Sequence, residues 1–126
     1  MRKPDFENLL AVLNRHKPSR PTLFEFFLND RLERRLGGSE TLDINIIKMR
    51  AFLNAGYDYI TVLGGFRFAE GEKHKESSIS LNECPLITDR ASFNAYAWSD
   101  PDKADYSNFE LVSKNLPDGM KIIGFG

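Results

Sequence analysis

Helical spacing of apolar residues marks three segments of this chain. The first predicts a helix from about Asp5 to Asn14, and the second predicts a helix that ends at Gly56. The third predicts a helix from Ser107 to Leu116. The apolar residues of the three segments are Phe6, Leu9, Leu10 and Leu13, then Ile44, Ile47, Ala51 and Ala55, then Phe109, Val112 and Leu116.

Three other segments have the composition of β-strands. Pro21 to Leu28 is rich in aromatic residues and almost continuously apolar, and Tyr57 to Leu63 is rich in aromatic and β-branched residues. Gly119 to Gly126 follows the turn Leu116-Pro117-Asp118-Gly119. Helical pattern separates the strands, including a short charged helix from Arg31 to Leu36. This order of strand, helix, strand, helix and strand predicts a parallel sheet, which would be buried on both faces.

Residues 64–100 form a long connection of different composition. Much of it is polar or charged, and Ile79-Ser80-Leu81 alternates as a short edge strand would. Asp100 and Pro101 have the character of an N-cap and a first helical residue, so they predict the start of the last helical region. A connection of this length is typical of either a functional or a disordered loop.

Composition limits the classes of protein to consider. The length of 126 residues and a hydrophobic content of 41% predict one domain, residues 1–126, with a packed core. Seventeen basic and eighteen acidic residues give a net charge of -1, which predicts neither a nucleic-acid nor a membrane partner. The single cysteine, Cys84, excludes an internal disulfide framework. Asp5, Glu7 and Asn8 interrupt any signal-peptide pattern, so a cytoplasmic protein is expected.

Three motifs resemble one known superfamily. Arg20-Pro21-Thr22-Leu23-Phe24-Glu25-Phe26-Phe27 is similar to the opening strand of the uroporphyrinogen decarboxylase superfamily. Trp98-Ser99-Asp100-Pro101 and the segment from Leu116 to Gly124 resemble the approach to the third strand in its methyltransferase-like branch. The superfamily includes decarboxylases of the porphyrin pathway, which are lyases, and cobamide-dependent methyltransferases. Its fold is a TIM barrel.

The resemblance implies an α/β chain that forms a partial TIM barrel. A barrel has eight strands and usually about 250 residues or more, so this chain corresponds to about a third of it. The expected portion is the N-terminal helix and the first three parallel β/α units. The sequence is compatible with a truncated chain, an interrupted gene or a short paralogue.

The chain departs from the superfamily pattern at the positions that would do chemistry. The decarboxylases carry an arginine-bearing turn after the first strand, where this chain has Phe27-Leu28-Asn29-Asp30-Arg31-Leu32. They also carry an aspartate after the second strand, where this chain has Leu63-Gly64-Gly65-Phe66-Arg67. Porphyrinogen decarboxylation is therefore disfavoured. The zinc ligands of the methyltransferase branch would lie in a later part of the barrel, and His16, His74 and Cys84 lack metal-site spacing. We expect neither a metal nor a cofactor within this chain.

Candidate binding residues lie where the predicted strands end, because barrel ligands bind at the carboxyl ends of strands. No catalytic residue can be assigned. Glu25 points from the first strand towards a barrel mouth in this interpretation, and Arg67 is its expected ion-pair partner. The alternatives are a purely structural ion pair and a partly solvated residue at the edge of the sheet. The substrate-binding candidates are Glu25, Asn29, Asp30, Gly64, Gly65 and Arg67.

Two hypotheses of function follow. In the first, the chain is the N-terminal portion of a decarboxylase-like or methyltransferase-like protein and is not catalytically competent alone, since the rest of the barrel would supply most of the site. In the second, it is a small self-associating α/β binding or interaction module without enzymatic activity. Both predict association, either as a homo-oligomer or with the missing barrel portion, because unpaired strand edges attract other strands.

Overall fold

The computed structural model describes residues 2–38, 43–65, 68 and 85–125. Two compact units divide the chain: the first comprises residues 1–65 and 105–126, and the second comprises residues 66–104. The helices and strands of the first unit are α1 (Glu7–Leu13), α2 (Asp30–Gly37), α3 (Ile44–Ala55), β1 (Tyr59–Leu63), α5 (Ser107–Asn115) and β2 (Lys121–Phe125). The second unit contains α4 (Arg90–Ala95) and a 3₁₀ turn at Pro101–Lys103.

Helix α3 shows how local chemistry sets the helix ends. The side chain of Asp43 accepts hydrogen bonds from the backbone N–H groups of Asn45 and Ile46, which have no partner inside the helix. Gly56 ends the helix in the left-handed conformation with φ of 92°, where a side chain would be strained. The predicted end of this helix at Gly56 is therefore confirmed.

Among the described residues, two parallel strands form the sheet. β1 and β2 pair in register from Tyr59 opposite Lys121 to Leu63 opposite Phe125. Helix α5 lies between the two strands in sequence, as a parallel crossover requires. The largest fully buried side chains form the core of this unit, and they are Tyr59, Phe52, Ile60, Met120 and Val112.

The expected partial TIM barrel with three parallel β/α units is wrong. Pro21 to Leu28 is not a strand, and the described residues contain a two-stranded sheet. Tyr59 explains part of the difference, because its hydroxyl accepts a hydrogen bond from the backbone N–H of Glu25 at 2.6 Å and donates one to the carbonyl of the same residue at 2.7 Å. The Thr61 hydroxyl donates to the carbonyl of Phe26 at 2.6 Å. Side-chain hydroxyls thus occupy backbone groups that a strand ladder would use.

The position of this segment follows from the same contacts. Tyr59 and Thr61 are two residues apart in β1, so their side chains project from one face of the strand. The segment from Pro21 to Leu28 therefore lies over a face of β1, whereas a third strand would have to lie along an edge. The chain also bends at Phe26.

Of the long connection, residues 64, 65, 68 and 85–100 are described. Helix α4 begins with a capping box in which Asp89 and Ser92 exchange side-chain and backbone hydrogen bonds. Asp100 caps the next element as predicted, but Pro101 starts a 3₁₀ turn and not an α-helix. The expected edge strand at Ile79-Ser80-Leu81 lies outside the described residues. Across the part of the chain that is described, no helix has the length and apolar character needed to cross a membrane.

Candidate interaction surface

The predicted site residues near the start of α2 have structural roles. The side chain of Asn29 accepts a hydrogen bond from the backbone N–H of Arg31 at 2.9 Å, so Asn29 is the N-cap of the helix. Asp30 is the first helical residue and is exposed, where its charge is favourable at a helix N-terminus. Glu25 is also exposed, and its backbone is held by Tyr59.

The two glycines after β1 both make close backbone contacts. The N–H of Gly64 donates to the carbonyl of Phe125 at 2.6 Å, which prolongs the contact between the strands. A Cβ on Gly65 would overlap the backbone carbonyl of Asp105, so glycine is needed for this close approach. Arg67 lies outside the described residues. The structure therefore gives Asn29, Gly64 and Gly65 local structural contacts.

A buried ion cluster around Asp58 was not predicted from the sequence. The Asp58 side chain is 3% exposed, and its carboxylate accepts hydrogen bonds from Arg20 at 2.6 Å and from Arg2 at 3.3 Å. The backbone N–H of Asp5 donates to it at 2.9 Å. Asp58 directly precedes β1, so the cluster is at the amino end of the strand. The one available signal was a charge inside the apolar run from Tyr57 to Leu63.

The cluster fixes the course of the chain before Pro21. Arg2 also donates to the carbonyl of Pro21 at 3.1 Å, and Arg20 donates to the carbonyl of Lys3 at 3.1 Å. Nearby, the buried side chain of Asn8 accepts hydrogen bonds from the backbone N–H and the hydroxyl of Ser19 at 2.9 and 2.6 Å. These contacts tie the N-terminal residues to the segment that leads into Pro21.

The residues that follow Pro21 carry an exposed apolar surface, together with the end of β1. We define the phenylalanine face as Leu23, Phe24, Phe26, Phe27 and Leu63. Phe27 is 68% exposed, Phe24 is 50% exposed and Phe26 is 47% exposed. Exposed apolar patches of this kind mark protein-interaction sites in soluble proteins.

Ring contacts hold the phenylalanine face in place. Phe27 contacts Phe125 of β2 edge to face with ring centroids 5.2 Å apart, and Phe26 contacts the same ring at 6.3 Å. Phe24 contacts Phe26 at 5.3 Å and Tyr59 at 5.5 Å. The exposed rings thus rest on side chains of both strands, and they form a preorganised surface.

Glu25 supplies the one charge within residues 21–28. Burial is the main cause that raises the pKa of the Tyr57 phenol, and the negative charge of Glu25 raises that pKa further. The pKa of Tyr59 is also raised, first by burial, whereas its hydrogen bond with the Glu25 backbone lowers it. Both phenols are therefore neutral at physiological pH, and the Tyr59 hydroxyl keeps the proton that it donates to Glu25.

The described residues give no indication of a metal centre. No group of three or more histidine, cysteine, aspartate or glutamate residues among them could hold a metal ion. No family model, curated protein or solved structure matches this chain. The resemblance to the uroporphyrinogen decarboxylase superfamily therefore stays a prediction.

Proposed function

We propose that this chain is a protein-interaction module without enzymatic activity, which associates with a second copy of itself through the phenylalanine face. The observation that carries the proposal is the exposure of Phe24, Phe26 and Phe27 on a surface held by both strands. A cytoplasmic location belongs to this proposal, because a chain with the single cysteine Cys84 suits a reducing compartment.

The size of the phenylalanine face is sufficient for a specific contact. A large apolar side chain has a surface of roughly 200 Å², so the exposed fractions of these three phenylalanines and two leucines amount to on the order of 500 Å². Two copies that meet at this face would bury roughly 1,000 Å² of apolar surface, which reaches the lower limit of a biological interface. Polar residues around the face would add to that area.

A second copy is the simplest occupant of the face. Two-fold dimers are the commonest oligomers, and in them one surface patch contacts the same patch of the other copy. An apolar surface is complementary to itself, and the phenylalanine face contains no charged residue among its members. The hydrophobic effect would favour this contact in proportion to the area removed from water.

Sedimentation equilibrium of the full 126-residue chain tests the proposal. We expect a reversible monomer–dimer equilibrium with a dissociation constant on the order of micromolar or weaker, because a small interface leaves little free energy beyond the cost of association. Phe27→Asp should abolish it, because a carboxylate would be desolvated at the centre of the contact. Leu13→Asp is a matched control, since Leu13 is 67% exposed on α1 and lies outside the phenylalanine face.

Two results would contradict the proposal. One is a wild-type chain that stays monomeric over the whole concentration range. The other is an equal loss of association in Phe27→Asp and Leu13→Asp variants that both keep the circular dichroism spectrum of the wild type, which would indicate a different contact surface.

A further inference from the structure

The backbone of β2 has one side that faces β1 and one side that faces away from it. In a parallel ladder, alternate residues of a strand direct both their N–H and their C=O group to the same neighbouring strand. The N–H of Lys121 and the carbonyl of Phe125 make hydrogen bonds of 3.2 and 2.6 Å to residues that flank β1. The backbone groups of Ile122 and Gly124, which alternate with them, therefore point to the outer edge of β2.

This outer edge is open in the described part of the chain, where the sheet contains no strand besides β1 and β2. The side chains of β2 differ in burial from those of β1 in the same way. Ile60 of β1 is 1% exposed, whereas Ile122, which lies opposite it in the ladder, is partly exposed. Ile123 is partly exposed too, and Gly124 is exposed. An unpaired row of N–H and C=O groups is a template for pairing with another strand.

An antiparallel strand beside β2 would satisfy these groups. In an antiparallel pair, a hydrogen-bonded residue exchanges two bonds with the residue directly opposite, so Ile122 and Gly124 would each gain two bonds. The residue opposite Lys121 would then belong to a pair without hydrogen bonds, in which the two side chains are closest. Lys121 is exposed and is the one charged residue of β2. An acidic residue opposite Lys121 would therefore be favourable.

The β2 strand of a second copy does not supply that acidic residue. Two antiparallel β2 strands satisfy all of the outward groups only when Ile122 of one copy lies opposite Gly124 of the other. This register places Phe125 of one copy opposite Lys121 of the other. Since β2 contains no acidic residue, no other register provides a carboxylate either. A strand from a different protein fits the charge of this edge better.

We propose that the outer edge of β2 binds an extended segment of another protein as an added antiparallel strand. The segment has two consecutive apolar residues, which lie opposite Ile123 and Ile122, followed by an acidic residue opposite Lys121. Backbone hydrogen bonds provide the affinity, and the side chains provide the specificity. No member of the phenylalanine face belongs to β2, so this is a second interaction surface beyond the proposed self-association.

A capped peptide of sequence Ser-Thr-Thr-Val-Val-Glu-Ser tests the proposal by nuclear magnetic resonance titration. Its valines and glutamate correspond to the positions opposite Ile123, Ile122 and Lys121. We expect a dissociation constant below about 1 mM and slower amide exchange at Ile122 and Gly124 in the complex. N-methylation of the second valine should weaken binding by about tenfold, because it removes the donor to the carbonyl of Ile122. N-methylation of the first valine is the matched control, since that N–H points away from β2.

Charge reversal tests the acidic position. Lys121→Glu should weaken binding of the peptide by about threefold or more, because it places two carboxylates opposite each other. A peptide with lysine in place of the glutamate should bind Lys121→Glu more tightly than it binds the wild type. Lys114→Glu is the control on the protein, since Lys114 is exposed on α5 and lies outside β2.

The result that would overturn the proposal is a peptide that does not bind, or that is weakened equally by the two methylations. Slow amide exchange at Ile122 and Gly124 in the free chain, independent of concentration, would also overturn it, because another part of the chain would then cover the edge. Slow exchange that grows with concentration in the Phe27→Asp variant would instead identify a second copy as the occupant. Peptide binding that is equal in the wild type and in Phe27→Asp supports a separate surface. A monomeric wild type that binds the peptide would contradict the self-association and support the β2 site.

Discussion

Arg20 and Asp58 are joined by a hydrogen bond of 2.6 Å between the guanidinium and the carboxylate, although 38 residues separate them in sequence. The contact is part of the cluster that also includes Arg2 and the backbone N–H of Asp5. The Asp58 side chain is almost fully buried, whereas the side chains of Arg2 and Arg20 are 31% and 28% exposed. The cluster determines where the residues before Pro21 lie, and thus where the phenylalanine face begins.

Replacing Asp58 by alanine should lower the free energy of unfolding by about 2–4 kcal/mol. The substitution leaves two arginines without their shared counter-charge and the N–H of Asp5 without its acceptor. The loss is at the lower part of the range for buried pairs because both arginine side chains are partly exposed. Urea unfolding followed by circular dichroism gives the value.

The pair between Lys114 and Glu110 provides the contrast. Both side chains are more than 70% exposed and 3.9 Å apart, so Glu110→Ala should change the free energy of unfolding by less than about 0.5 kcal/mol. If Glu110→Ala and Asp58→Ala lowered the free energy of unfolding equally, burial would not be the reason that the Asp58 cluster stabilises the chain.

Removing the Tyr59 hydroxyl should loosen the segment from Pro21 to Leu28. Tyr59→Phe deletes both hydrogen bonds to the backbone of Glu25 while it keeps the buried ring. We expect a loss of about 1–3 kcal/mol in the free energy of unfolding, and faster amide hydrogen exchange at Glu25. Tyr106→Phe is the matched control, since Tyr106 is 52% exposed. An unchanged exchange rate at Glu25 would contradict the role given to this hydroxyl.

Glu33 should make the stability of the chain depend on pH. It is 5% exposed in α2, and burial is the main cause that raises its pKa above 4.5, opposed by Lys48 and supported by Asp30. Between the unfolded and the folded pKa, the folded state binds more protons than the unfolded state. The contribution of Glu33 to stability is therefore present at low pH and is lost as pH rises from 4.5 through the folded pKa.

Glu33→Gln removes this titration. The difference in free energy of unfolding between the Gln variant and the wild type should grow in favour of the variant as pH rises through that window, and urea unfolding at several pH values measures it. Glu110→Gln is the control, because Glu110 is exposed on α5. A difference that stays constant with pH would exclude burial of an ionised Glu33 as a source of instability.

The sequence was sufficient to predict those helices and strands that depend on residues close to each other along the chain. The apolar stripe of α3 and its end at Gly56 follow from side-chain spacing and from the left-handed conformation that glycine tolerates. Tyr59–Leu63 and Lys121–Phe125 are strands within segments predicted as strands, and they are parallel as the order of elements indicated. These features require no knowledge of distant residues.

Pro21 to Leu28 shows where that reasoning fails. Its composition suits a buried strand, but a strand also needs a neighbour that pairs with its backbone, and Tyr59 and Thr61 occupy backbone groups of Glu25 and Phe26. The prediction of the candidate site also lacked information about contacts with distant residues. The sequence places Glu25 within a predicted strand and Asp30 at its end, but it does not specify that both side chains are exposed.

Local spacing and conformational preference thus determined the helices and the two paired strands. Only the tertiary structure decided that Asp58 would be buried between arginines 38 and 56 positions away, and that Phe24, Phe26 and Phe27 would stay at the surface. The reason is physical: burial and ion pairing depend on which distant segments pack together, and residue spacing along one segment does not specify that packing.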